Sequence, residues 1–203
     1  MIPLFILSGI AVFVMTDAWV TLQKLMKVDQ RWFRNVIDLV YKRDIEKAIV
    51  VAGESDSALG KMAAEGLRDY RLPTKNIEEN MQVEARRVIS KSEGSVSYLS
   101  MIATTAPMLG FLGTIFGVIK IFFNISMTND FSISSISDGL YQKMICSAVG
   151  LLVGIVAYIG YYILNRRIDI MLLALDKGGS ELMKAVTVSR GGTAQAAGDE
   201  KGR

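Results

Sequence analysis

Two long stretches of the chain contain no charged residue. Residues 99–119 and 144–164 are each 21 positions long, close to the roughly 20 apolar residues with which an α-helix crosses a hydrocarbon core about 30 Å thick. Backbone amides in lipid must find hydrogen-bond partners within their own segment, so each stretch is predicted to be a helix. Residues 2–23 form a weaker apolar stretch that carries one charge, Asp17. The pattern predicts an all-α integral membrane protein with three transmembrane helices, in which long helices extend into a helical cytoplasmic region.

Lysines and arginines are distributed unevenly around these stretches. Residues 23–97 hold 14 of them and Arg166 and Arg167 follow the third stretch directly, whereas residues 121–142 hold none. Because basic loops stay on the cytoplasmic side, we expect the large loop and the C-terminus inside and the N-terminus and the short connector outside. The first stretch has no basic residues before it and no clean small-x-small cleavage site. This favours a retained anchor over a cleaved signal peptide.

The large loop interleaves apolar and charged positions and has nearly balanced charge, which is typical of folded helices rather than disorder. Apolar residues recur at helical spacing over 32–40, which predicts an amphipathic helix. Asp44 is predicted to cap a second helix that ends at Ala52, and a third helix is expected over 57–70.

A much longer helix is expected to follow. Asn76 and Glu79 have the spacing of a capping box, and no proline intervenes before Pro107, so residues 76–123 are predicted to form one helix that extends beyond the bilayer into the cytoplasm. The small and polar tail, 191–203, is predicted to be disordered. The expected segments are transmembrane helix 1 (1–23), a cytoplasmic helical region (24–97), transmembrane helix 2 (98–123), a short outer connector (124–139), transmembrane helix 3 (140–165), a cytoplasmic C-terminal helix (166–190) and the tail.

Small residues form one face on the second stretch and another on the third. The face on the second stretch consists of Ala103, Ala106, Gly110, Gly113, Thr114 and Gly117. The face on the third consists of Gly139, Lys143, Cys146, Ser147, Gly150, Gly154 and Ala157. Such faces let helix backbones approach closely in lipid. The residues predicted to serve helix packing are Ala106, Gly110, Gly113, Gly117, Gly150 and Gly154.

Polar residues on these two faces allow two interpretations. The Thr114 hydroxyl either donates to a carbonyl of the preceding turn or faces a polar pathway. Gln142 and Lys143 stand at the outer mouth of the third stretch. The Lys143 ammonium either extends to the membrane interface or contacts an acid of a partner.

Several functions are excluded or disfavoured by residues that the sequence lacks. The chain has no histidine, and residues 99–119 and 144–164 contain no Asp or Glu, so a proton relay would need a carboxylate from another subunit. Asp17, beside Trp19, is interpreted as a solvated charge at a helix end. With one cysteine, Cys146, the apolar stretches offer no nucleophile–base pair, metal site or cofactor site, so we expect no enzyme. The net charge of +3 disfavours nucleic acid as a partner.

The run ATTAPMLGFLGTIFG at 103–117 resembles the second-span signature of the ExbB/TolQ/MotA family. Together with 44–48, 57–66 and 139–162, the resemblance covers most of the chain. Within the family the short connector and large loop look most like ExbB, with TolQ nearly as similar and the four-span MotA less so.

The resemblance implies a non-enzymatic, multi-pass motor subunit of the bacterial inner membrane with its connector in the periplasm. It further implies a homo-oligomer, a pentamer, around two helices of an ExbD-like single-span subunit whose intramembrane aspartate carries protons. The whole complex is implied to energise a TonB-like protein and, through it, transport across the outer membrane. The family's pathway positions fall on Thr114 and Ser147. Its glutamate falls on Gln142 and its proline on Val156, and Lys143 beside Gln142 is a candidate contact with the partner. A TolQ-like subunit of the Tol-Pal system and a passive membrane scaffold are the alternatives.

Overall fold

The computed structural model describes residues 2–128 and 133–200, and the side chains of 4–127, 136–137 and 139–191. All regular structure in the described part of the chain is helical, as predicted. The helices are α1 (Ile2–Met26), α2 (Gln30–Tyr41), α3 (Ile45–Gly53), α4 (Ala58–Arg68), α5 (Thr74–Thr128) and α6 (Ile133–Glu200). Three of them, α1, α5 and α6, are long and apolar enough to cross a membrane. The predicted number of spans is therefore confirmed.

Contacts divide the chain into two compact units. One, the apolar unit, consists of Met1–Trp19 and Gly94–Asn165. The other, the charged unit, consists of Val20–Glu93 and Arg166–Arg203. Each has its own buried residues.

In the apolar unit α1 lies against α6. A Cβ on Gly160 would lie 2.5 Å from Met15 Sδ, so the missing side chain makes room for methionine. Most large apolar side chains here nevertheless point outward, Phe13 being 71% exposed and Phe116 63%. Water would penalise such a surface whereas lipid does not, so the exposed residues fit a membrane environment.

In the charged unit α2, α3 and α4 bury one face each. Phe33, Val36 and Val40 are the buried residues of α2, which has the predicted amphipathic character. The Trp32 indole Nε1 donates a hydrogen bond to the Val51 carbonyl at 2.8 Å and so joins α2 to α3. A Cβ on Gly178 would lie 2.5 Å from Leu59 Cδ1, which brings α6 close to α4.

Side-chain caps define where the short helices begin. Asp44 caps α3 and Ser57 caps α4, and the Ser57 oxygen accepts from the Gly60 amide at 3.1 Å. The prediction for Asp44 is confirmed. A hydrogen bond from the Lys47 ammonium holds the pKa of the Asp44 carboxyl below its usual value. Any stability from this pair is present above the ordinary carboxyl pKa and is lost as the pH falls through the lowered one.

The long helices differ in detail from the prediction. α5 begins at Thr74, directly after Pro73, so Asn76 lies in the first turn rather than at a cap. The predicted continuity of this helix through Pro107 is confirmed. α6 joins the predicted third span and C-terminal helix without a break, since no proline occurs over 133–200.

The connector and the tail are also more helical than expected. The two long helices together occupy all of the predicted connector except residues 129–132, which lie outside the described residues. α6 reaches Glu200 and thus enters the segment predicted to be disordered, where repeated alanines favour helix. Residues 201–203 are not described.

The turn between α2 and α3 holds a residue in an unfavourable conformation. Arg43 has a φ of 61°, which is left-handed, and its amide donates to the Val40 carbonyl at 3.0 Å. The Asp44 amide donates to the Leu39 carbonyl, completing a Schellman motif in which glycine is usual at this position.

We expect Arg43→Gly to stabilise the charged unit by about 1 kcal/mol, because glycine adopts a left-handed conformation without a steric penalty. Thermal unfolding of the purified protein in detergent measures the change. Lys42→Gly is the matched control, since Lys42 has a right-handed φ of −77° and glycine there should destabilise. An unchanged or lower melting temperature for Arg43→Gly would contradict the expectation.

Candidate functional site at the α5–α6 crossing

Within the apolar unit, α5 and α6 run antiparallel and touch along their small faces. A Cβ on Gly110 would lie 3.2 Å from Gly150 Cα, and one on Gly139 would lie 2.7 Å from Ile121 Cδ1. Moving forward along α5 therefore corresponds to moving backward along α6. The two predicted small-residue faces are brought together in this register.

The helices approach most closely around Gly150. A Cβ there would lie 2.7 Å from the Ala106 carbonyl oxygen and 2.9 Å from Gly110 Cα, so backbone meets backbone. One turn further along α6, a Cβ on Gly154 would lie 2.5 Å from Pro107 Cγ. Sequence reasoning predicted only that the helix continues through Pro107 and missed this contact. The spacing between Pro107 and the small residues around it could have indicated this contact.

Gly113 does not take part in this contact. A Cβ on Gly113 would meet nothing within 4 Å, so its predicted packing role has no partner among the described atoms. Ser147 instead lies against Gly110, since a Cβ built on Gly110 would lie 3.2 Å from Ser147 Cα.

Thr114 and Ser147 are both half-buried, and Thr114 lies one turn along α5 from Gly110, the residue against which Ser147 lies. The Thr114 hydroxyl donates to the Phe111 carbonyl at 2.6 Å, the local bond that the sequence allowed as one interpretation. A hydroxyl has one proton to donate and two lone pairs that accept. Because its proton is directed to the backbone, the Thr114 oxygen is presented as an acceptor to any group that enters the space beside it.

Gln142 and Lys143 lie on α6 before the crossing. Gln142 is exposed, and its carbonyl accepts a weak bond from the Cys146 thiol at 3.8 Å. Lys143 is half-buried, and its aliphatic chain runs over Gly117 on α5. Sequence reasoning placed Lys143 and Gly117 on small faces but did not pair them.

Two further residues stand apart from the crossing. Asp17 is exposed on α1, and the helix continues beyond it to Met26, so this carboxylate is not at the helix end where the sequence reading placed it. Val156 lines a cavity of about 90 Å³ between α1, α5 and α6.

The crossing supplies hydroxyl groups, close backbone contact and one ammonium. Residues 99–119 and 144–164 contain no Asp or Glu. Among the described residues, no group of three or more His, Cys, Asp and Glu could hold a metal ion. The site can therefore accept or relay hydrogen bonds, and a proton-binding acid has to be supplied from elsewhere.

Comparison with known families identifies one match. The model of a family described as "MotA/TolQ/ExbB proton channel family" matches residues 54–177, more than half of the chain. The matched region includes the whole α5–α6 crossing.

Curated relatives agree with this match at low identity. "Biopolymer transport protein ExbB" of Neisseria gonorrhoeae is 27% identical over 141 residues, which are 63% of this chain and 64% of the relative. "Putative biopolymer transport protein ExbB-like 1" of Helicobacter pylori strain 26695 is 31% identical over 90 residues, 44% of this chain and 48% of the relative. "Tol-Pal system protein TolQ" of Pseudomonas aeruginosa is 26% identical over 92 residues, 45% of this chain and 40% of the relative. The matches thus span less than two thirds of these relatives.

Proposed function

Because the chain belongs to the MotA/TolQ/ExbB proton channel family, we propose that it is a stator subunit of a proton-driven motor in the bacterial inner membrane. Its family is one of proton channels rather than enzymes. The observation that carries the proposal is the position of Ser147 against Gly110, with Thr114 one turn further along α5, on two apolar stretches, residues 99–119 and 144–164, that contain no carboxylate.

The proposed mechanism assigns the carboxylate to a partner. An ExbD-like single-span subunit brings an intramembrane acid next to Thr114 and Ser147, whose hydroxyls accept and pass on hydrogen bonds as the acid gains and loses its proton. Copies of the chain, proposed to be a pentamer, surround two partner helices, and proton flow turns the partner within the ring.

We place the large charged region in the cytoplasm and the N-terminus in the periplasm, because Lys and Arg are concentrated in that region. A TonB-like protein would receive the work of the motor and drive transport across the outer membrane. The names of the Neisseria and Helicobacter relatives favour this ExbB-like role. The TolQ relative supports the alternative, a subunit of the Tol-Pal system.

The proposal is tested by co-expressing the tagged chain with the ExbD-like protein of the same organism and recording native mass spectra of the detergent-extracted complex. We expect a ring of the chain with two copies of the partner. Reconstituted into vesicles with an internal pH-sensitive dye, the complex should conduct protons, and it should stop when the partner's intramembrane acid is neutralised.

Two outcomes would overturn the proposal. A homo-oligomer that ignores the partner would instead support a passive scaffold, in which the small faces only pack helices. A complex whose proton conduction does not depend on the partner's acid would remove the assigned roles of Thr114 and Ser147.

A further inference from the structure

Lys143 is held in a defined place by a glycine on the neighbouring helix. A Cβ on Gly117 would lie 2.5 Å from Lys143 Cδ and 2.9 Å from its Cε, and the Lys143 Cγ is closer still. The lysine chain thus occupies the volume that any other residue at position 117 would fill. A side chain extended freely toward the membrane interface would not need this vacancy.

The ammonium at the end of this chain forms no ion pair among the described side chains, because the ion pairs found there all lie in the charged unit. Lys120, three residues beyond Gly117 on α5, is exposed and also positive. A positive charge that is partly buried at the end of a membrane span is costly unless an anion or strong acceptor pairs with it.

We propose that Gly117 positions Lys143 to form an ion pair with the carboxylate of a membrane-spanning partner helix, and that this pair selects the partner. The inference rests on the proposed stator function and adds to it a contact that the hydroxyls of Thr114 and Ser147 do not supply. Lys143 lies one helical turn before Ser147 on α6, so the same partner acid can meet the ammonium and the hydroxyls as it moves along the helix.

In this arrangement Lys143 binds the carboxylate of the partner, and Gly117 holds the Lys143 side chain in position. Alanine at position 117 would force the Lys143 chain off the α5 surface and move the ammonium away from the crossing. Gln142, the residue before Lys143, is uncharged, so Lys143 supplies a positive charge at this part of the α5–α6 contact. A partner for this chain must therefore present an acid, and a partner that presents a base is rejected.

The test is a double-mutant cycle between Lys143 and the intramembrane acid of the co-expressed ExbD-like protein. Lys143→Met keeps the apolar chain and removes the charge. We expect it to lower the amount of partner retained on the tagged chain by about tenfold when the partner has its acid. With the acid changed to its amide, the same substitution should cause no further loss.

Gly117→Ala tests positioning, with Gly113→Ala as its matched control one turn away on the same helix. We expect Gly117→Ala to reduce partner retention as Lys143→Met does, and Gly113→Ala to leave it unchanged because nothing lies within 4 Å of the added methyl group. In a Lys143→Met background, Gly117→Ala should cause little further loss of partner retention. The amount of homo-oligomer, measured in the same samples, reports whether the ring itself is intact.

The possible failures are distinguishable. If the wild-type chain does not retain the partner, the proposed function fails and the inference falls with it. If the wild type retains the partner but Lys143→Met has the same effect on the acid and amide forms, or none, only the ion pair is overturned. A loss for Gly117→Ala that is fully additive with Lys143→Met would overturn the positioning role.

Discussion

Gly150→Ala is expected to separate α5 from α6 and to give the largest loss of stability in the chain. The added methyl group would lie 2.7 Å from the Ala106 carbonyl oxygen and 2.9 Å from Gly110 Cα, and backbone atoms cannot rotate away as a side chain can. Overpacking of this kind costs about 3 kcal/mol. For a chain of this length, that corresponds to a fall of about 10 °C in the melting temperature.

Gly113→Ala provides the control for this result. It is the same substitution at a small residue of α5, but its methyl group would enter open space. We expect its melting temperature in detergent to stay within about 2 °C of the wild type, since surface substitutions change stability by about 0.5 kcal/mol or less. Equal effects of the two substitutions would show that the helices do not cross at Gly150.

Thr114→Val should reduce proton flux through the reconstituted complex about tenfold, equivalent to about 1.4 kcal/mol in barrier height, while leaving assembly unchanged. Valine has nearly the shape of threonine, so the packing of α5 is kept and the hydroxyl oxygen alone is lost. Vesicle flux and native mass spectra of the same preparation separate the two effects. Ser147→Ala should also reduce proton flux.

Thr104→Val is the matched control for Thr114. Its hydroxyl also donates to carbonyls of the preceding turn, at 2.9 and 3.2 Å, but it is exposed whereas Thr114 is half-buried. If the backbone hydrogen bond were what mattered at Thr114, both substitutions would reduce flux alike. Normal flux for Thr114→Val would remove this hydroxyl from the mechanism.

The number of spans, the short helices and the small faces were predictable because they rest on local patterns. Uncharged runs of membrane length identify the spans, and the hydrogen-bonding side chain of Asp44 marks where α3 begins. The two glycine faces follow from helical periodicity alone.

Features that depend on register were not predictable. Periodicity places Gly113 and Gly117 on one face, yet only the relative rotation of α5 and α6 decides that Gly117 meets Lys143 and Gly113 meets nothing. The continuity of α6 was also missed, because the change from apolar to charged composition at Arg166 resembles a boundary although the backbone carries no helix breaker there. Composition reports the environment of a helix and not its end.

The positions of the two tryptophans make the units optically separable. Trp19 is the last residue of the first segment of the apolar unit. Trp32 belongs to the charged unit, where its indole hydrogen bond to Val51 joins two helices. The chain has no other tryptophan. With either indole replaced by phenylalanine, the remaining emission spectrum would report the melting of a single unit, so denaturant titrations can establish whether the two halves unfold together or in sequence.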